Sequence, residues 1–158
     1  MSLEDDEVRL PTPAELNRAH DESLELFGGL PGFKDARLVE SAIEAVRMRK
    51  YLCPETTAIE LAVALAHSLV KNHAYTDGNK RTATYALGIT LYINGLDLKA
   101  DPTLVEKWIR SLENATSKNN KLVQSTMVNQ VELNVTTLTP EGDSGTKIIA
   151  SSQKDIKH

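Results

Sequence analysis

Two apolar runs of helical period, separated by a short and very polar turn, constrain this chain most. ELAVALAHSLVKNH, residues 60–73, places Leu61, Ala62, Leu65, Ala66, Leu69 and Val70 on one broad face. A face that wide suits a central helix packed on more than one side. NKRTATYALGITLYINGL, residues 79–96, repeats the pattern with Ala83, Ala86, Leu87, Thr90, Leu91 and Ile93. Ala83, Ala86 and Gly88 are small enough to admit a neighbouring helix closely, and Asn94-Gly95 is a favourable helix stop. The pair predicts a helical hairpin at the centre of an all-α domain.

Between the runs lies HAYTDGNKR, residues 73–81. An imidazole, a carboxylate, a glycine, an amide and two adjacent cations crowd a connection that is costly to fill with polar groups unless they are used. Taken singly, His73 could be a helix cap and Asp77 the cap of the next helix. Those explanations must then hold repeatedly within nine residues. Lys80 and Arg81 fall in the first turn of the second helix, where the dipole disfavours cations unless an anion compensates. The amides from Gly78 to Thr82 open that helix and are suited to phosphate oxygens. By chemical type, His73 is the proton acceptor near neutral pH. Asp77 is a hard oxygen ligand for Mg²⁺, and Gly78 permits close backbone approach to a phosphate. Asn79 orients the loop or the phosphate, while Lys80 and Arg81 supply a point charge and a fork for a transferring phosphoryl group. Thr82 adds a hydroxyl or closes the first turn, and Tyr75 is expected to pack inward.

The flanking chain supports a small helical body. Residues 1–11 read as a mobile acidic lead-in. Thr12-Pro13-Ala14-Glu15 is a capping box with proline at the first helical position, opening a helix to Leu26 or Phe27 with Leu16, Ala19 and Leu24 inward. GGLPGFKD, residues 28–35, is either a plain connection or a mobile flap over a peptide or nucleotide site. Leu38, Ala42, Ala45 and Val46 mark a second helix ending in Arg47, Arg49 and Lys50. Thr57 to Glu60 is another capping box. Asp101-Pro102 opens a helix running roughly to Ala115, with Leu104, Val105, Trp108, Ile109 and Leu112 buried. The helical domain is therefore placed at residues 12–118. In the extension, residues 119–158, QVELNVTTL alternates Val131, Leu133 and Val135 like a strand. PEGDSG is a turn and TKIIASS a second strand, so a short β-hairpin is expected there, with disorder as the alternative.

Composition narrows the function classes. The chain has 158 residues and 41% apolar content, enough for one domain with an aliphatic core. Its net charge is -4, and residues 1–30 carry eight acidic side chains against two basic ones. General attraction to nucleic acid or anionic membranes is disfavoured. The apolar runs are broken by His67, Lys71 and His73, and MSLEDDEVRL lacks the cationic start of a signal peptide. With one cysteine no internal disulfide can form, so a cytoplasmic location is expected. Cys53, beside Pro54, is expected as a buried inert thiol. GxxxxGK[ST] and GxGxxG signatures are absent, and His67 and His73 are poorly spaced for zinc.

HAYTDGNKRTA resembles the core motif of the Fic/Doc superfamily, most closely its death-on-curing (Doc) toxin branch, with the approximate pattern H-x-F-x-D-x-N-K-R-T. GGLPGFKDARLVESAIEA is similar to the same branch, and the resemblance spans roughly residues 9–118. It implies a compact helical domain that binds ATP and Mg²⁺ at the loop and modifies a protein hydroxyl. His73 would be the base and Asp77 the metal ligand. Gly78, Asn79, Lys80, Arg81 and Thr82 would hold phosphate, with Lys80 and Arg81 also serving the transfer. Typical Fic nucleotidyltransferases carry glycine at the position of Lys80 and a second arginine at that of Thr84. Lysine and threonine there point instead to transfer of the γ-phosphoryl group to a Thr/Ser hydroxyl. Doc-like members are associated with such a transfer to translation elongation factor Tu, which stops bacterial growth. Tyr75 in place of phenylalanine and Gly78 in place of alanine depart from the best-known Doc loop. No S/T-x-x-x-E-G/N inhibitory pattern is present, so a separate cognate antitoxin is the expected partner. The alternatives are a Fic-type nucleotidyltransferase and a non-catalytic Doc-like protein-binding module. Oligomeric state is not legible.

Overall fold

Six helices and three short strands make up residues 7–139 and 142–148, the residues described by a computed structural model of the chain. The helices are α1 (Pro13–Phe27), α2 (Arg37–Leu52), α3 (Ala58–Asn72), α4 (Asn79–Ile93), α5 (Pro102–Asn114) and α6 (Asn120–Glu132). The strands are β1 (Leu96–Leu98), β2 (Val135–Thr139) and β3 (Gly142–Ile148). None of the described helices is long and apolar enough to cross a membrane.

The helix starts follow from their caps. Thr12 Oγ1 accepts from the Glu15 N–H at 3.1 Å, and the Glu15 carboxylate accepts from the Thr12 N–H at 2.9 Å. Thr57 and Glu60 repeat both bonds at the start of α3. Asp101 accepts from the Thr103 N–H at 2.8 Å and starts α5. Each such cap contributes about 1 kcal/mol. They locate α1, α3 and α5 where the sequence places them.

α3 is the axis of the body. Every residue from Ile59 to Ala66, apart from half-buried Glu60, is buried, as are Leu69 and Val70, and α2, α4, α5 and α6 all pack on this one helix. α4 contributes Thr82, Ala83, Ala86, Leu87, Thr90 and Leu91 to the contact, while Ile93 is only half-buried. Gly88 faces open space, so close approach rests on the alanines and not on this glycine. α2 buries Val39, Ala42, Ile43 and Val46. That spacing, not the expected Leu38, Ala42, Ala45 and Val46, is the inward stripe, and Ala45 is exposed. In α1 the inward residues are Leu16 and His20, with Ala19 and Leu24 half-buried. Cys53 is exposed, contrary to expectation, because it caps α2 beyond Val46, the last buried residue of that helix.

The other corrections concern the two ends. Residues 7–11 are tied to the body: Val8 and Leu10 pack on the core, and the backbone of Arg9 exchanges two hydrogen bonds with the Asn94 side chain. The acidic residues 1–6 lie outside the described residues. Residues 130–132, expected to begin a strand, end α6 instead. Met127 and Val131, one helical turn apart, are buried in the shared core, and Val131 belongs as well to the helical period as to the alternating one. The strand starts at Val135 and pairs antiparallel on both sides, in the order β1-β2-β3. The expected hairpin is therefore present as β2 and β3, joined by an unforeseen third strand, β1, whose Leu98 lies opposite Val135. β3 begins at Gly142, inside the expected turn, and the end of the expected second strand, 149–152, falls outside the described residues.

Candidate functional site

α3 ends at His73, whose φ of 51° and ψ of 53° make it a left-handed helix cap and the one described non-glycine residue with positive φ. The conformation costs about 1 kcal/mol for an L-residue. Strain of that kind concentrates at functional sites. It turns the chain sharply and leaves the imidazole exposed, without a hydrogen-bond partner among the described residues.

The next residues turn inward. Ala74 and Tyr75 are buried, and the segment 28–35 runs beside them as a short antiparallel edge. The Lys34 and Asp35 N–H groups donate to the Ala74 carbonyl at 2.8 and 3.0 Å, and the Thr76 N–H donates to the Gly32 carbonyl at 3.0 Å. The segment is thus bonded along the motif. The Tyr75 ring lies between Phe33, at 5.3 Å between centroids, and His20, at 3.8 Å and nearly parallel. Its hydroxyl donates to Asn17 Oδ1 at 2.6 Å. Burial, with the charge of Asp21 adding to it, pushes this phenol well above its ordinary pKa. Tyr75 packs inward as expected.

Asn79 and Thr82 complete the scaffold. Asn79 accepts from the Tyr75 N–H at 3.1 Å and donates to the Tyr75 carbonyl at 2.9 Å, so both ends of its amide hold the loop. Thr82 Oγ1 donates to the Gly78 carbonyl at 2.9 Å and is buried. It closes the first turn of α4 and does not line the cavity described next.

An open cavity of ≈ 210 Å³ is lined by His73, Thr76, Asp77, Gly78, Asn79, Lys80, Arg81 and Glu113. Six of the seven residues singled out from the sequence are therefore brought together, and Thr82 sits just behind. The Asp77 carboxylate accepts from the Leu30 N–H at 3.1 Å and from the Gly78 N–H at 2.8 Å. These two bonds, led by Leu30 and helped by the charges of Arg81 and His20, hold its carboxyl below the usual range. Asp77 is ionised at neutral pH. α4 has no side-chain cap, and the Asn79, Lys80 and Arg81 amides have no acceptor among the described residues. That leaves a cluster of donors for an anion.

The two cations differ. Lys80 Nζ is 3.6 Å from a Glu113 carboxylate oxygen, a partly exposed pair across the cavity mouth. Arg81 Nη2 donates to the Gly28 carbonyl at 2.8 Å, its guanidinium lies over the Phe27 ring, and its buried Nε has no partner among the described residues. Among the described residues no three His, Cys, Asp or Glu side chains gather to hold a metal by themselves. A single ionised carboxylate beside anion-binding amides fits magnesium, which takes one or two protein oxygens and completes its shell with phosphate and water. A larger polar cleft of ≈ 500 Å³, lined by Arg49, Glu60, Lys121 and Glu132 among others, lies elsewhere and gathers no such set.

Sequence reasoning missed three residues here. Asn17 and His20 come from α1, and Glu113 from the end of α5. The one signal was His20 standing one turn after Leu16 on the apolar stripe of α1.

The model of the Fic/DOC family matches residues 10–91. The chain is 30% identical over 99 residues to "Protein kinase doc" of Escherichia phage P1, covering 63% of this chain and 79% of that protein. It is 40% identical over 76 residues to "Toxin Doc" of Mycolicibacterium smegmatis (strain ATCC 700084 / mc(2)155), covering 48% of this chain and 58% of that protein.

Proposed function

Because this chain belongs to the Fic/DOC family, we propose that it is a toxin that transfers the γ-phosphoryl group of ATP to a Thr or Ser hydroxyl of a protein. Translation elongation factor Tu is the proposed target, and a cognate antitoxin the proposed partner. The observation that carries this reading is Lys80. It reaches into the same cavity as His73 and Arg81, while Thr84, the position of a second arginine in nucleotidyl-transferring relatives, turns its hydroxyl back to the Lys80 carbonyl at 2.9 Å. Among the described residues the cavity thus offers one compact cationic group at the motif and no second guanidinium fork.

The roles follow from chemistry. The unpartnered His73 ring accepts the proton of the incoming hydroxyl as its oxygen bonds to the γ-phosphorus. The bond from that phosphorus to the bridging oxygen of ADP breaks, and ADP leaves with the electron pair. Lys80 and Arg81 neutralise the charge that develops, and the open amides of α4 orient the phosphates. Asp77 would hold Mg²⁺, which when bound supplies further neutralisation of phosphate charge. Asn79 acts indirectly, through the loop.

The experiment is transfer to bacterial elongation factor Tu from ATP labelled at either the α or the γ phosphate. Label from the γ position in the protein product is expected. Label from the α position would make the chain a nucleotidyltransferase. No label from either, with Mg²⁺-nucleotide binding also absent in folded protein, would make it a non-catalytic binding module.

A further inference from the structure

His20 is a fully buried polar side chain beside the motif, yet it lies outside it, on α1. Its ring is 1% exposed. A leucine or phenylalanine would fill that volume on the apolar stripe one turn after Leu16, without the desolvation of two ring nitrogens. The imidazole is instead used twice. One face stacks on Tyr75, and Nε2 sits 2.7 Å from the backbone carbonyl oxygen of Asp77. A carbonyl only accepts, so Nε2 carries the hydrogen and donates. The exposed Asp21 carboxylate lies 3.2 Å from Nδ1 on the ring's other edge.

The bond acts on the peptide that joins Asp77 to Gly78. In a planar trans peptide the C=O and the following N–H point in opposite directions. Drawing the Asp77 carbonyl inward to His20 therefore turns the Gly78 N–H outward, where it meets the Asp77 carboxylate at 2.8 Å. Gly78 has φ of 83°, a region glycine enters freely, so this peptide would otherwise rotate at little cost. Gly78 also rests on the imidazole: a Cβ there would lie 3.2 Å from His20 Cδ2 and 3.4 Å from Nε2. The histidine thus limits which residue fits in the motif as well as how its backbone turns.

We propose that His20 is a positioning residue for the transfer reaction: by donating from Nε2 to the Asp77 carbonyl it fixes the Asp77–Gly78 peptide, and so holds the Gly78 N–H on the Asp77 carboxylate that lines the cavity. The assignment to transfer rests on the function proposed above; the assignment to the peptide rests on geometry alone.

Two substitutions separate the hydrogen bond from the packing. His20→Phe keeps an aromatic ring against Tyr75 and removes the donor. His20→Gln removes the ring and keeps an N–H that reaches the same carbonyl. Misplacing a reacting group by about 1 Å costs on the order of 10²-fold, so His20→Phe is expected to lower kcat for γ-phosphoryl transfer by roughly that factor, with His20→Gln restoring most of it. The Gly78 amide resonance of the ligand-free protein is expected as one sharp peak in wild type and His20→Gln, and shifted or broadened in His20→Phe. If His20→Phe fails to fold, His20→Asn replaces it, since its amide is too short to reach Asp77. A role in packing alone gives the reverse order, with His20→Phe close to wild type and His20→Gln impaired, and overturns the proposal. So does an unchanged Gly78 resonance in His20→Phe. If wild type transfers no label at all, the kinase reading fails, while the amide comparison still decides whether His20 sets the peptide.

Discussion

Between His73 and Thr82 the same short stretch of chain has an inner half and an outer half built on opposite rules. Tyr75, Asn79 and Thr82 face inward, and each polar side-chain atom they bury meets a partner. Among the described residues His73 faces outward with no partner, Lys80 meets a partly exposed carboxylate, and Arg81 keeps a buried Nε unpaired. The inner residues hold the turn in place, and the outer ones retain unspent hydrogen-bonding capacity for a ligand. Stability and chemistry are therefore separable within ten residues, although ordinarily an unsatisfied group would cost the fold.

The sharpest way to break that comparison is at its extremes. His73→Ala is expected to lower transfer by about 10²–10⁴-fold, the usual contribution of a general base, with the thermal melting midpoint essentially unchanged. Full transfer in that variant would remove His73 from the chemistry. Tyr75→Ala is expected to behave in the opposite way, costing about 3–5 kcal/mol in urea unfolding, as for other buried aromatic truncations. Tyr75→Phe loses only the bond to Asn17 and leaves a buried acceptor, about 1–2 kcal/mol. Were His73→Ala to unfold the protein, or Tyr75→Ala to melt like wild type, the division of labour would be wrong.

Much of this arrangement was legible in the sequence, for identifiable reasons. α3 and α4 announce themselves because nearly every turn of each carries core residues, so a period of 3.6 survives any small error in the face. Capping boxes fix the starts of α1 and α3 because both halves of each box are local. What stayed hidden depended on partners far along the chain. α6 buries only Met127 and Val131 from a polar helix, too few to outweigh an overlapping alternation that continues into β2. β1 is three residues long and is a strand only because Val135 to Thr137 lie beside it. In the site, the motif gave the residues that touch the cavity. It gave nothing about Asn17 or His20, whose roles exist only once α1 is laid against the loop, nor about Glu113.

Glu113 is where the outer half is least free, and it sharpens the contrast. Its carboxylate pairs with Lys80, so on the proposed function it competes with phosphate for that ammonium. Exposed pairs of this kind are worth about 1 kcal/mol or less. Glu113→Gln is accordingly expected to tighten nucleotide binding by no more than about fivefold in a calorimetric titration. Weaker binding in Glu113→Gln would instead give this carboxylate a share in holding the metal.

The smallest effect lies one step outside the motif, on α3. The Nε2 of His67 is buried without a partner among the described residues. Burial, helped by the nearby charge of Lys71, lowers its pKa below the ordinary 6.5. The unfolded chain therefore takes up the proton first as pH falls. Stability from this site is complete above the unfolded pKa and is lost as pH drops below it, until the folded ring is protonated too. The slope cannot exceed about 1.4 kcal/mol per pH unit for one proton. His67→Leu removes the titrating group while keeping an apolar side chain on α3. Its unfolding free energy, measured beside wild type from pH 7.5 to 5, is expected to fall less steeply. Parallel curves would mean that His67 is as well solvated folded as unfolded, and that the inner surface of α3 carries no cost of this kind.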